Sequence, residues 1–431
     1  MTPIKIRINE SLSLSAIETD KFKTGMVSLS LTVPLKKDAA AANMLLSGVL
    51  RRGSVKYPSM ALLNRRLDEL YAADIEIKNA RLGKNNSFII IAELLNNTFV
   101  PDNTDVLDGV LEVISDMILH PLTSGDSFPE ESVRKEKQNV CDAIDAEVNN
   151  PRAYALNRCA ELMHSEDRDF STVAELRAAA EAADPKELYA HYKRLLDSSE
   201  LSFFYVGCET PERVAELIEK HFGGFEGRRS EVIPYRAEKF IGLRRRTEPF
   251  EASQGKLCLG FRVGVCSGEE RYFAAVLFNE IFGGSPASKL FMNVREKMSL
   301  CYYCSSSYDS HFGNITVSSG IEVSNYEVAY RAILSQLEDI KNGRISEFEF
   351  SAAKKSVINI FRQMNDFPYE LFAFYSTREL FGISASPEEY MRRFEEVTLD
   401  EVIEVARGAV LDTVYFLEGI LGGEEEEDEE E

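Results

Sequence analysis

The sequence predicts an α+β fold of two tandem homologous domains, each a largely antiparallel sheet packed with helices. Three observations carry this. The order of strand-like and helical runs in the first half recurs in the second. Strand runs come in pairs and hairpins rather than alternating singly with helices. Long stretches with apolar residues three and four apart lie beside each set of strands, the signature of helices with one buried face.

Taken in order, residues 4–34 hold two strand-like runs, the second (MVSLSLTV, 26–33) in near alternation. Asp38 is placed to cap a helix reaching Arg52, with Ala42, Leu45, Leu46, Val49 and Leu50 on one face and Gly53 after it. Tyr57-Pro58 turns the chain into a helix at 62–71, followed by strands near 74–78 and 88–94. Helical patterns occupy 105–119, 130–147, 152–164 and 174–196. A strand, LSFFYV, follows at 201–206, then a helix at 211–222. Glycines 223, 224 and 227, prolines 234 and 249, and arginines 228–229 and 244–246 mark 227–248 as a linker. The domains are then expected at 1–226 and 249–421.

In the second domain LCLGFRV (257–263) is a strand, and 274–282 is a helix closed by Gly283-Gly284. Pro286 introduces a turn, then helix, corner, strand, hairpin and strand. An offset of 227 places Leu63 on Leu290, Glu69 on Glu296 and Phe88 on Ile315 without a gap. Further on, KEKQNVCDAIDAEVNNP (135–151) pairs with AKKSVINIFRQMNDFP (353–368), prolines included, and LSFFYVG (201–207) with TVYFLEG (413–419). A repeat of this length, about 200 residues, means two related domains and not a solenoid.

Composition excludes several classes. The chain of 431 residues is 44% apolar, ample for packed cores, yet it has no run of eighteen apolar residues and no membrane span is expected. The start, MTPIKIRINES, lacks the apolar region of a secretory signal, so the expected location is cytoplasmic. Seven cysteines, an odd number, read as reduced and buried thiols. Cys301-Tyr-Tyr-Cys304 is formally a C-x-x-C. Residues three apart on a strand point to opposite faces, and no second such pair completes a zinc tetrahedron. The net charge is −22, of which the run 424–431 supplies eight, leaving −14 on the rest. Such a surface is unsuited to nucleic acid, and 422–431 is expected to be a disordered acidic tail.

One stretch stands out for chemistry: LFMNVREKMSLCYYCSSSY, 290–308. Leu290, Phe291 and Val294 recur at helical spacing. After a break at 297–299, Leu300, Tyr302 and Cys304 fall on one face of a strand, with Cys301 and Tyr303 on the other. Arg295 and Tyr302 thus flank one helix-to-strand corner.

The run GGSPASKLFMNVREKMSLCYY (283–303) resembles the second-domain signature of the insulinase, pitrilysin and mitochondrial processing peptidase family of zinc peptidases. FFYVGCETPERVAELIEKHFGGF (203–225) resembles that family's strand–Gly–helix segment, and RRGSVKYPS (51–59) the stretch after its zinc motif. The resemblance covers the chain except the acidic tail. It implies a zinc site built from H-x-x-E-H on a first-domain helix and a later Glu. Two His four apart share a helical face, and the Glu between them can take a proton from zinc-bound water.

Aligned backward from Tyr57-Pro58-Ser59, those five positions are Met44, Leu45, Leu46, Ser47 and Gly48, and the later Glu falls on Ala143. None of these replacements is His or Glu. The five histidines (120, 164, 191, 221 and 311) are isolated from one another. No cofactor is therefore expected in this chain, and it should not hydrolyse peptides alone. Glycine-rich stretches lack the spacing and Lys of a phosphate loop, and no G-x-S-x-G elbow occurs.

The resemblance also matches Arg295 and Tyr302 to a second-domain Arg and Tyr that face the zinc and touch substrate backbone or oxyanion. Loss of the ligands with retention of this pair resembles the zinc-free subunit of heterodimeric relatives. It is most similar to the motif-lacking member of paired Gram-positive proteins linked by name to elongation factor P modification. The implied role is a non-catalytic subunit whose H-x-x-E-H-bearing partner holds zinc and whose substrate is a short unfolded peptide. The alternative is an inactive peptidase fold that binds peptide or acts as a scaffold without contributing to catalysis.

Overall fold

Strands β1 (Ile4–Arg7), β2 (Leu12–Glu18), β3 (Thr24–Pro34), β4 (Asp74–Leu82), β5 (Asn85–Leu95) and β6 (Leu201–Gly207) form one sheet in the order β1-β2-β6-β3-β5-β4. A second sheet contains β7 (Arg244–Phe250), β8 (Gly255–Arg262), β9 (Cys301–Asp309), β10 (Asn314–Ile321) and β11 (Val410–Gly419), in the order β7-β11-β8-β10-β9. Without β1 the two orders coincide, β2 matching β7, β6 β11, β3 β8, β5 β10 and β4 β9. Each sheet has one parallel pairing, β2 with β6 and β7 with β11, and is otherwise antiparallel. The α+β expectation holds, with two mixed sheets and helices packed on them. The computed structural model describes residues 1–420, so the expected acidic tail lies outside the described residues.

The matching extends to backbone detail. After the helix Met60–Glu69, Ala72 adopts φ 57° and Ala73 N–H donates to Leu67 O. After Leu290–Lys297, Ser299 adopts φ 53° and Leu300 N–H donates to Val294 O. Both bonds reach six residues back, and both corners hold a non-glycine residue in the left-handed region, an uncommon choice. The offset of 227 carries one set onto the other.

The chain divides into two compact units that are not continuous in sequence. The first comprises 1–145, 171–234 and 364–386, and the second 146–170, 235–363 and 387 onward. The departure from a simple split at 227–248 has a specific cause. Pro151 and Pro368, the prolines that end the paired 135–151 and 353–368 segments, each begin a helix, a position where a missing N–H costs nothing. The helix Pro151–Met163 buries Ala155 and Cys159 against Cys258, Tyr415 and Leu417 of the second sheet. The helix Pro368–Leu380 sets Phe372 and Tyr375 against the Phe204 ring of the first. Arg244–Arg246, expected in the linker, instead start β7, because β11 offers them a parallel edge.

In the first unit the sheet's apolar face is covered by Ala40–Arg51 and Val106–Leu119, which join a core of Leu, Ile, Val and Phe from all sides. Helix starts are set locally by Ser59, Asp105, Asp184 and Thr210, whose side chains accept from backbone N–H groups of the first turn, and by a capping box at Thr172. Asp38 does not cap: it lies in a short 3₁₀ turn, and the helix begins at Ala40 without a side-chain cap. No helix among the described residues is long and apolar enough to cross a membrane.

Candidate functional site

The degenerate motif positions lie on Ala40–Arg51, which packs against the helix Glu130–Asp145. Ser47 is turned inward on its own helix, its hydroxyl donating to Met44 O at 2.6 Å. Gly48 faces Glu136 so closely that an added Cβ would sit 2.1 Å from Glu136 Oε2. That buried carboxylate accepts from Arg52 Nε at 2.5 Å and from Asn139 Nδ2 at 3.1 Å. A buried carboxylate needs a cation or a full set of donors, and here a guanidinium one turn along the helix supplies the charge. Ala143, two turns beyond Glu136 on the same face, is exposed and offers no ligand.

Glu136 is not among the residues that the sequence motifs single out. Its seven-residue separation from Ala143 was the available signal. Among the described residues no three His, Cys, Asp or Glu side chains come together as metal ligands. Four of the histidines have partners of their own: His164 with Glu238, His191 with Asn43, His221 with Asp108, and His311 with Asp309. The residues at the motif positions do not fit zinc. Adding even one methyl group at Gly48 forces Glu136 aside. Overpacking costs about 1–3 kcal/mol, against up to about 1 kcal/mol gained when a helical Gly becomes Ala. Gly48→Ala is expected to lower the urea midpoint, corresponding to a net loss of ~1 kcal/mol in unfolding free energy. An unchanged midpoint would show that the carboxylate has room to move.

The second candidate site is the corner after Leu290–Lys297. This helix is wound in π form, as is Glu280–Gly284 before it, a winding often found at functional sites. Arg295, in its last turn, is partly exposed. Its guanidinium lies 4.5 Å from the centre of the Phe291 ring and 3.5 Å from Glu296.

Tyr302 differs from its expected placement. Strand alternation groups it with Cys304, whose side chain is buried, yet Tyr302 is 77% exposed. The reason is a β-bulge. Cys304 pairs with Ser319, Tyr303 with Gly320 and Cys301 with Ile321, so Tyr302 is the extra residue opposite nothing. Its counterpart in the first unit, Ile75, pairs regularly with Ala92 and is 1% exposed. The same position is core in one copy and surface in the other.

Arg295 and Tyr302 line a single cleft of about 330 Å³ together with Gln254, Glu296, Ser299 and Glu322. A larger cleft in the first unit, about 530 Å³, runs between the sheet and Pro368–Leu380, lined by Phe204 and Phe372 but by none of the candidate site residues. The smaller one therefore has the chemistry: a guanidinium and a phenol, both hydrogen-bond donors, beside β9, the edge strand of its sheet.

Residues 182–357, which include Arg295 and Tyr302, match the family described as the peptidase M16 inactive domain. Over 411 residues the chain is 29% identical to the probable inactive metalloprotease YmfF of Bacillus subtilis, covering 95% of this chain and 96% of that one. Over these stretches the chain is similar to M16 metallopeptidases and to a relative named as inactive. A conserved protein from Enterococcus faecalis V583 shares its fold with a TM-score of 0.89 at 28% identity, over 97% of this chain and 99% of that one. The M16 inactive domain from Pseudomonas fluorescens, at 16% identity and TM-score 0.77, shares the fold over 98% of this chain and 100% of its own. The chain is also similar to proteins named as zinc proteases. One is the uncharacterized zinc protease YmxG of Bacillus subtilis, 27% identical over 258 residues, 57% of this chain and 59% of that one.

Proposed function

We propose that this chain is an M16 homologue acting as the zinc-free, non-catalytic subunit of a heterodimeric zinc metallopeptidase, supplying Arg295 and Tyr302 to a site whose zinc lies in an H-x-x-E-H-bearing partner. The observation that carries this reading is the bulge at Tyr302. A tyrosine turned out of an edge strand beside a partly exposed arginine gains little in packing, whereas Ile75 in the other copy is core. The two helices of the first unit that carry the matched motif positions are joined through Glu136 and Arg52, and among the described residues no ligand set lies between them.

The division of labour follows from the chemistry of each half. The partner's zinc would supply an activated water. This chain's residues bind and orient: a short unfolded peptide adds along the free edge of β9, and Arg295 and Tyr302 donate hydrogen bonds to the carbonyl oxygen under attack. Fixed donors count most where charge develops in the transition state. The partner would be the homologous subunit of the same Gram-positive pairing, with both chains in the cytoplasm.

The test is peptide cleavage by the purified chain, and by the chain co-expressed with an H-x-x-E-H homologue, with and without a chelator. Cleavage by the complex alone, abolished by chelation, is expected. Stoichiometric zinc and cleavage in the isolated chain would overturn the proposal.

A further inference from the structure

The bulge at Tyr302 has a second chemical effect. In a regular strand Cys301 and Cys304 point to opposite faces, as their spacing predicts. Here Cys304 lies opposite Ser319 and Cys301 opposite Ile321, and those two partners, being two apart on β10, share a face. Cys301 and Cys304 therefore share that face as well. They are separated by two strand steps, roughly 6.8 Å, at the upper end of the Cα separations a disulfide spans.

Their surroundings differ in a useful way. Cys301 is half-buried and lines the Arg295–Tyr302 cleft, while Cys304 is buried behind it. A hydrogen bond from the Cys304 thiol, another with Ser319, and the Arg295 guanidinium hold the Cys301 thiol down at about 7, against burial that pushes it up. The same Cys304–Cys301 bond, with burial, pushes the Cys304 thiol well up. The pair is thus biased, Cys301 toward the thiolate and Cys304 toward keeping its proton. No third His, Cys, Asp or Glu joins the pair to hold a metal among the described residues.

We infer that Cys301 and Cys304 are a redox-active dithiol, a modification site that a hydroperoxide closes to an intramolecular disulfide. The Cys301 thiolate attacks one peroxide oxygen. The O–O bond breaks, the departing oxygen takes a proton to leave as water or alcohol, and Cys301 becomes a sulfenic acid. The Cys304 sulfur then attacks the Cys301 sulfur. The S–O bond breaks as S–S forms, and hydroxide leaves with the Cys304 proton as water. The dithiol loses two electrons and the peroxide gains them. This chemistry stands whether or not the chain serves a partner's peptidase site.

The experiment treats the full chain with hydrogen peroxide, alkylates the remaining thiols and maps them by mass spectrometry. Cys301 and Cys304 should together lose two hydrogens, resist alkylation and recover both thiols with dithiothreitol. Cys208, the other half-buried thiol, is the comparison. Cys304→Ser should leave a Cys301 sulfenic acid that dimedone traps, and Cys301→Ser should leave Cys304 reduced. The alkylation rate of Cys301 should rise through pH ~7, and Arg295→Ala should move that rise to higher pH. Cys301 and Cys304 both still alkylatable after peroxide that oxidises Cys208 would overturn the inference, as would oxidation of Cys304 at an unchanged rate in Cys301→Ser.

Discussion

If the proposed shared site exists, replacing Arg295 with Ala, or Tyr302 with Phe, is expected to lower the turnover of the chain with an H-x-x-E-H partner by about 10²-fold each, the loss typical of one donor aimed at a developing oxyanion. The two substitutions act differently. Tyr302→Phe keeps the ring and the bulge and removes only the phenol O–H, so its effect should fall on kcat with KM little changed, as expected for a contact made mainly in the transition state. Arg295→Ala also removes the guanidinium over the Phe291 ring and a cation from the cleft, so KM should rise as well. Neither residue is buried, and thermal stability should move little. Unchanged turnover in both variants would leave the scaffold reading in place of the shared site.

The second large effect is on stability. Asp412, on β11, is fully buried, and it accepts from Arg262 Nε at 3.2 Å and from Arg244 at 2.8 Å. Arg262, itself buried, reaches on to Glu238 at 2.7 Å and to the carbonyl of Met163, which ends the helix Pro151–Met163. Thus one guanidinium joins a strand, an irregular segment and a helix end within the second unit. Asp412→Ala removes the charge and leaves Arg262 desolvated beside an empty space. Breaking a buried pair in this way costs about 3–5 kcal/mol, a large share of the ~5–15 kcal/mol that holds a typical domain together. Urea unfolding, followed through the second unit, should show that loss. A change below about 1 kcal/mol would mean that water or Glu238 takes over the role of Asp412.

How far the site was legible depends on which interactions decide it. Arg295 and Tyr302 could be named because residue type and the 227-residue offset are properties of the sequence. The orientation of Tyr302 could not, because period-2 alternation assumes regular pairing and the bulge is decided by the hydrogen bonds β10 offers. The same event reversed the expectation for Cys301 and Cys304. For Glu136 the sequence offers only the seven-residue spacing from Ala143, which places the two on one helix face but does not tell a buried glutamate from a solvated one. Its burial depends on Gly48 and Arg52, more than eighty residues earlier.

The sequence by itself carried the duplication, most of the order of strands and helices, and the residue types at Met44, Ser47, Gly48, Ala143, Arg295 and Tyr302 on which the proposal rests. These rest on residue type and local period, which each stretch carries without its neighbours. Only the tertiary structure decided that the helices after Pro151 and Pro368 pack away from the units that precede them in sequence. It also decided that Arg52 neutralises Glu136, and that one extra residue in β9 turns a tyrosine out and two thiols together. Each of these depends on which distant surfaces meet and in what register, and hydrogen bonding and burial settle that only once the chain has closed on itself.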